Sequence, residues 1–163
     1  MNHERTRKRF KPSKIKILFV GESPPANGGF FYIDSQMTNY MADVFSEVFN
    51  KNFSSTDGFL KFFKAKDCYL DDLSIVPVDN KNPEERKRII NECIGAFAKR
   101  LKKYKPELVV AVLKRIKDPV EQAVCKARLQ VPVYAIPFPG NGHQNRFKSE
   151  LLRILREHKK ALR

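Results

Sequence analysis

The sequence predicts an α/β domain, a three-layer αβα sandwich with helices on both faces of a mainly parallel, four-stranded central sheet. Three observations carry this. Short apolar runs of strand length alternate with longer segments whose apolar residues recur at helical spacing. The runs are apolar nearly throughout, as strands covered on both faces must be. The chain has 163 residues, the size of one domain able to bury its own core.

The elements follow in order. Residues 1–14 form a basic arm, with Arg5, Arg7, Lys8, Arg9, Lys11 and Lys14 against Glu4; it reads as a disordered tail that can also track phosphates. Ile15 to Val20 is the first strand, and the domain proper runs from residue 15 to residue 163. The strand ends in a loop rich in Gly and Pro, Gly21 to Gly29, a composition that marks special backbone geometry. A helix is expected from about Ser35 to Phe49, capped by Asp34 or Ser35, with Met37, Tyr40, Met41, Val44 and Val48 on its apolar face. A short helix over Gly58 to Ala65 precedes a second strand, placed at Leu73 to Val78 and entered through a turn at Asp71-Asp72. Asn82, Pro83 and Glu85 then supply an N-cap, a first-turn proline and a capping box for the clearest helix. Glu107 to Leu113 is the third strand, Pro119 to Leu129 a helix, and Val131 to Ile136 the fourth strand. That strand runs into Pro137-Phe138-Pro139-Gly140-Asn141-Gly142-His143, followed by a last helix over Asn145 to Lys160. In such sheets ligands bind beyond the carboxyl ends of the strands, so the loops after the first and fourth strands are expected to share one cleft.

Charge narrows the partner. Lys and Arg number 32 against 18 acids, a net charge of +14, which suits a polyanion such as nucleic acid. No run of about 18 apolar residues exists to span a bilayer, and no apolar core follows the basic start as in a secretory signal. Cys68, Cys93 and Cys125 lack metal-site spacing and read as reduced thiols. The expectation is a cytoplasmic monomer that binds DNA, single- or double-stranded, without a membrane.

Two segments carry a family resemblance. Gly21-Glu22-Ser23-Pro24-Pro25, directly after a buried strand, resembles motif 1 of the uracil-DNA glycosylase superfamily: Gly, a polar residue, a variable residue, Pro, then a small or aromatic residue. The family sets an aromatic a few residues on, which stacks on the flipped base; within Gly28-Gly29-Phe30-Phe31 the best match is Phe31. Pro137 to Asn145 resembles motif 2, His-Pro-Ser or His-Pro-Gly followed by a loop that enters the groove. The order of elements matches over most of Ile15 to Leu155. Departures are specific. The motif 2 His falls on Phe138, with His143 displaced into the loop. The base-reading Asn near the second strand falls on Asp72. The Asp of the most active members falls on Ser23. Three scattered cysteines do not supply the four that hold an iron–sulfur cluster in some members.

The resemblance implies a monofunctional DNA glycosylase that flips a damaged or deaminated base and hydrolyses its N-glycosidic bond, with no metal or other cofactor. Cleavage builds positive charge on the sugar and negative charge on the base, so the site needs a carboxylate and hydrogen-bond donors. Glu22, Asp72 and His143 are the catalytic candidates; Gly21, Ser23, Phe31, Asp71 and Asn141 are the base-binding ones. Each has a plainer reading. Glu22 is otherwise a solvated loop acid or an arginine partner, Ser23 a turn-former, and Phe31 core. Asp71 and Asp72 are otherwise a turn, Asn141 a turn residue, and His143 an exposed loop side chain. An ionised Asp72 accepts hydrogen bonds only, which favours a base presenting an amino group over uracil. Two alternatives stand beside the glycosylase: a non-catalytic nucleic-acid binder on the same fold, and an enzyme acting on free nucleotides.

Overall fold

The computed structural model describes residues 2–163. Six helices and four strands alternate: α1 (His3–Arg9), β1 (Ile17–Gly21), α2 (Gln36–Phe49), α3 (Thr56–Ala65), β2 (Cys68–Asp72), α4 (Pro83–Tyr104), β3 (Leu108–Ala111), α5 (Lys117–Lys126), β4 (Val133–Ala135) and α6 (Gln144–Glu157). Single 3-10 turns precede α5 and follow α6. The strands are all parallel, in the order β2-β1-β3-β4. Helices α4 and α5 pack together, as do α2 and α6, so the sheet is covered on both sides. Strands β1, β2 and β3 are buried at every position, the physical counterpart of the apolar runs of β1 and β3; β2 also buries the two acids Asp71 and Asp72. No helix among the described residues is long and apolar enough to cross a membrane.

Local chemistry accounts for most helix starts. The side chains of Ser35, Ser55 and Asn82 accept from the backbone N–H of Thr38, Gly58 and Glu85, each satisfying one of the free donors of a first turn. The last helix begins at Gln144 with His143 as N-cap but no side-chain cap bond.

Two expectations are corrected. The second strand is Cys68–Asp72, while Leu73 to Val78 is a loop with Ile75 and Val76 exposed. The Ser74 hydroxyl bonds both the N–H and the carbonyl of Val76 and curls this segment into a turn. Two adjacent acids resemble a turn only until their partners are known; here Arg7, Arg100 and Tyr104 bind them inside the strand. The basic arm is also not a tail. Met1 lies outside the described residues, but His3 to Arg9 is helical, Asn2 caps it, and Arg7 is 1 % exposed.

Strand order decides where a ligand can sit. From β1 the chain crosses to β2 on one side, and from β3 to β4 on the other. The loops leaving the adjacent strands β1 and β3 therefore diverge and leave a crevice at their carboxyl ends.

Candidate active site

A cleft of about 780 Å³ opens at that crevice, lined by all four loops that leave the sheet, and its volume is in the range of small-molecule sites. Seven of the eight residues singled out above line it: Gly21, Glu22, Ser23, Phe31, Asp72, Asn141 and His143. The eighth, Asp71, is held behind the strand by Arg100 and Tyr104 at 2.9 Å each.

The β1 loop is braced against the β2 loop. Ser23 accepts from the Val78 N–H at 3.1 Å, and the Asp79 carboxylate accepts from the Ala26 N–H. Ser23 is thus the turn-former of its plainer reading as well as a wall residue. The strand ladder also continues past the strands, with Leu73 donating to Gly21 and Ser74 to Glu22 at 2.9 Å. The backbone around Glu22 is fixed on this side.

Glu22 is not a free acid. Arg115 engages both its oxygens, Nε at 3.1 Å and Nη2 at 2.7 Å, and the Glu22 side chain is only 12 % exposed. Fork-to-fork pairing of this kind is the stronger form of a surface ion pair. Lys114, Arg115, Arg86 and Arg146 also line the cleft. Lys114 and Arg115 follow β3 after Val112 and Leu113, so the strand-end rule applied to the third strand would have found them. Arg86 and Arg146 sit in the first turns of α4 and α6.

Asp72 is 4 % exposed and forms part of the cleft wall. Its Oδ2 accepts from Arg7 Nη2 at 2.5 Å, while Arg7 Nη1 binds Asp71. Oδ1 takes no hydrogen bond from a described residue and lies beside Gly21, which also lines the cleft. Burial pushes the Asp72 carboxyl up to about 6, against the pull of Arg7. Arg7 is itself held above the ordinary guanidinium range: burial would lower it, but Asp72, Asp71, Glu4 and Tyr32 together outweigh that.

The aromatic wall differs from expectation. Phe31 is 4 % exposed, its ring edge-on to Tyr32 at 5.0 Å and to Phe63 at 5.5 Å. It is mainly core and presents only a sliver of its surface to the cleft. Phe30 is also buried, backed by the stacked ring of His3 at 4.3 Å and by the Arg7 guanidinium at 5.6 Å. The aromatic with free surface in the cleft is Phe138, 48 % exposed. Its loop turns through Asn141 and Gly142, both at positive φ, conformations that Asn and Gly reach most readily. Asn141 therefore makes the turn, and His143 is left exposed at the rim.

Chemically, the cleft combines a cationic rim, two carboxylates already paired with arginines, and an exposed aromatic ring. Comparison with models of known protein families and with curated proteins gives no match for this chain.

Proposed function

We propose that the protein binds DNA and admits a flipped base to the cleft, where water cleaves its N-glycosidic bond. What carries the reading is convergence: residues from loops more than 100 positions apart, chosen for glycosidic chemistry, line one cleft beyond the carboxyl ends of the strands. The basic rim supports a phosphate-bearing substrate. In this reading Arg115 passes from Glu22 to a DNA phosphate, and the freed Glu22 orients the attacking water. The C1′–N bond breaks as water supplies a hydroxyl to the sugar and a proton to the base. His143 donates from the rim toward base or phosphate. Phe138 stacks against exposed base surface, a contact worth about 1–3 kcal/mol. The unbonded Oδ1 of Asp72 favours a ring that presents an N–H donor.

The test is release of free base from duplex and single-stranded oligonucleotides carrying uracil, hypoxanthine, xanthine or a mismatch. Glu22→Gln is expected to lower that release by about 100-fold or more with oligonucleotide binding retained. If no member of the panel is cleaved at high protein concentration, the reading fails.

A second reading rests on one specific observation, the occupation of both Glu22 oxygens by Arg115. If that pair persists with DNA bound, the protein is a non-catalytic binder. Binding would then survive both Glu22→Gln and Asp72→Asn, with no abasic product from the wild type.

A further inference from the structure

We propose that Arg7, on the N-terminal helix, is a positioning residue of the cleft: it holds one oxygen of Asp72 so that the other stays a fixed, ionised acceptor facing the bound ring. The inference rests on the cleft being the base-binding site, and it concerns a segment that composition alone marks as a tail.

The geometry is directional. Arg7 spans the two adjacent carboxylates at the end of β2, one on each terminal nitrogen. Asp71 is otherwise saturated, by Arg100 and Tyr104 from α4 and by the Asp72 N–H at 2.8 Å. Asp72 has no other side-chain partner. Of these two adjacent acids Asp72 is the one that lines the cleft, and Arg7 therefore controls its orientation. A lysine cannot do the same, because a point charge lacks the planar fork that serves two carboxylates together.

Stability alone gives little reason for this arrangement. A buried ion pair is often matched or bettered by apolar residues of similar volume. Arg7 also carries its own penalty, since its Nε is buried without a partner. The same helix backs the cleft a second time, through His3 and Arg7 against Phe30. These two contacts of α1, on Asp72 and on Phe30, lead to cleft-lining residues.

The charged groups that face Asp72 are few. Arg7 comes from α1, Asp71 from its own strand, and Arg100 from α4; the cleft lining adds Glu22 paired with Arg115, Asp79, whose carboxylate takes the Ala26 N–H, and Arg86, which donates to the Val78 and Asp79 carbonyls. Arg7 supplies the largest opposition to the burial that pushes the Asp72 carboxyl up. Without it, burial would push the Asp72 carboxyl higher, and the protonated form, a donor, would persist to higher pH.

The experiment follows the Asp72 carboxyl by 13C NMR through a pH titration of the full-length chain, wild type against Arg7→Met. The wild-type midpoint is expected near 6 and the variant's about one unit or more higher. An unchanged midpoint in folded Arg7→Met overturns the proposal. Arg7→Lys, which keeps the charge but engages one carboxylate at a time, serves where Arg7→Met does not fold. Its midpoint is expected to rise by a smaller amount, and no rise overturns the proposal equally. On a cleaved substrate, Arg7→Met is expected to move the rising limb of the pH–rate profile to higher pH by the same amount as the midpoint. If the wild type cleaves nothing, the functional reading fails by itself, and the titration still decides for or against Arg7.

Discussion

A Cβ on Gly21 would collide with Oδ1 of Asp72 across the β1–β2 pair. Gly21 is not at positive φ, so its reason is space rather than backbone freedom. Gly21→Ala must displace a carboxylate that Arg7 holds in place. The expected cost is about 1–3 kcal/mol of stability, with loss of base release, read by thermal unfolding and by the oligonucleotide assay. Asp72 gives a second prediction at this scale. Its folded value, about 6, lies above the unfolded value of about 3.9, so between these the folded chain binds more protons. The Asp72 contribution is fully present below about pH 4 and is lost as pH rises through about 6. Melting temperature measured against pH should show a fall across that window that Asp72→Asn lacks. The residue candidates themselves were legible by type and loop: Glu22, Ser23, Asn141 and His143 lie where strand-end chemistry puts them. Their partners were not, because Arg115 is 93 positions from Glu22 and Arg7 is 65 from Asp72, and no local pattern links such pairs.

Edge strand β2 illustrates what happens at the scale of elements. The hydroxyl of Tyr32 accepts from the Leu70 N–H at 2.6 Å and donates to the Leu70 carbonyl at 2.8 Å. One side chain thereby satisfies backbone groups that an edge strand otherwise leaves open to water or to another chain. Burial pushes the Tyr32 phenol well up, against the opposing pull of its bond to Leu70, so it stays neutral and able to donate. Tyr32→Phe leaves that donor and acceptor without partners. It is expected to cost about 1–3 kcal/mol, and native-state hydrogen exchange should show it as faster exchange of the Leu70 amide. The helices were read more nearly correctly than the strands. Caps such as Asn82 act within three residues, whereas the second strand's position depended on arginines from α1 and α4.

At the scale of the whole molecule, the net charge of +14 is unevenly used. Many surface cations are paired, among them Lys148 with Asp43, Arg156 with Glu47 and Arg153 with Glu157. Exposed pairs of this kind add little stability; Lys114, Arg115 and Arg146 at the cleft rim are paired as well, and in the proposed function DNA phosphates would compete with these acids. If DNA neutralises about four of these cations, a roughly fourfold rise in salt should weaken binding about 100-fold. Fluorescence anisotropy on a labelled oligonucleotide measures it; binding that is flat with salt would remove the electrostatic basis of the DNA reading.

The alternation of apolar strands and amphipathic helices, and so the αβα sandwich, was determined by the sequence alone, because burial on two faces imposes a pattern that each segment carries within itself. The two Gly/Pro loops were readable for the same reason. Tertiary structure decided the rest. The order β2-β1-β3-β4 opens the crevice between β1 and β3. The fold of α1 sends Arg7 to Asp72, and the fold of the segment after β3 gives Glu22 the arginine partner, Arg115, that the sequence offered only as one of its plainer readings. These are contacts between residues remote in the chain, and a buried or paired charge is defined by the partner that the fold brings to it.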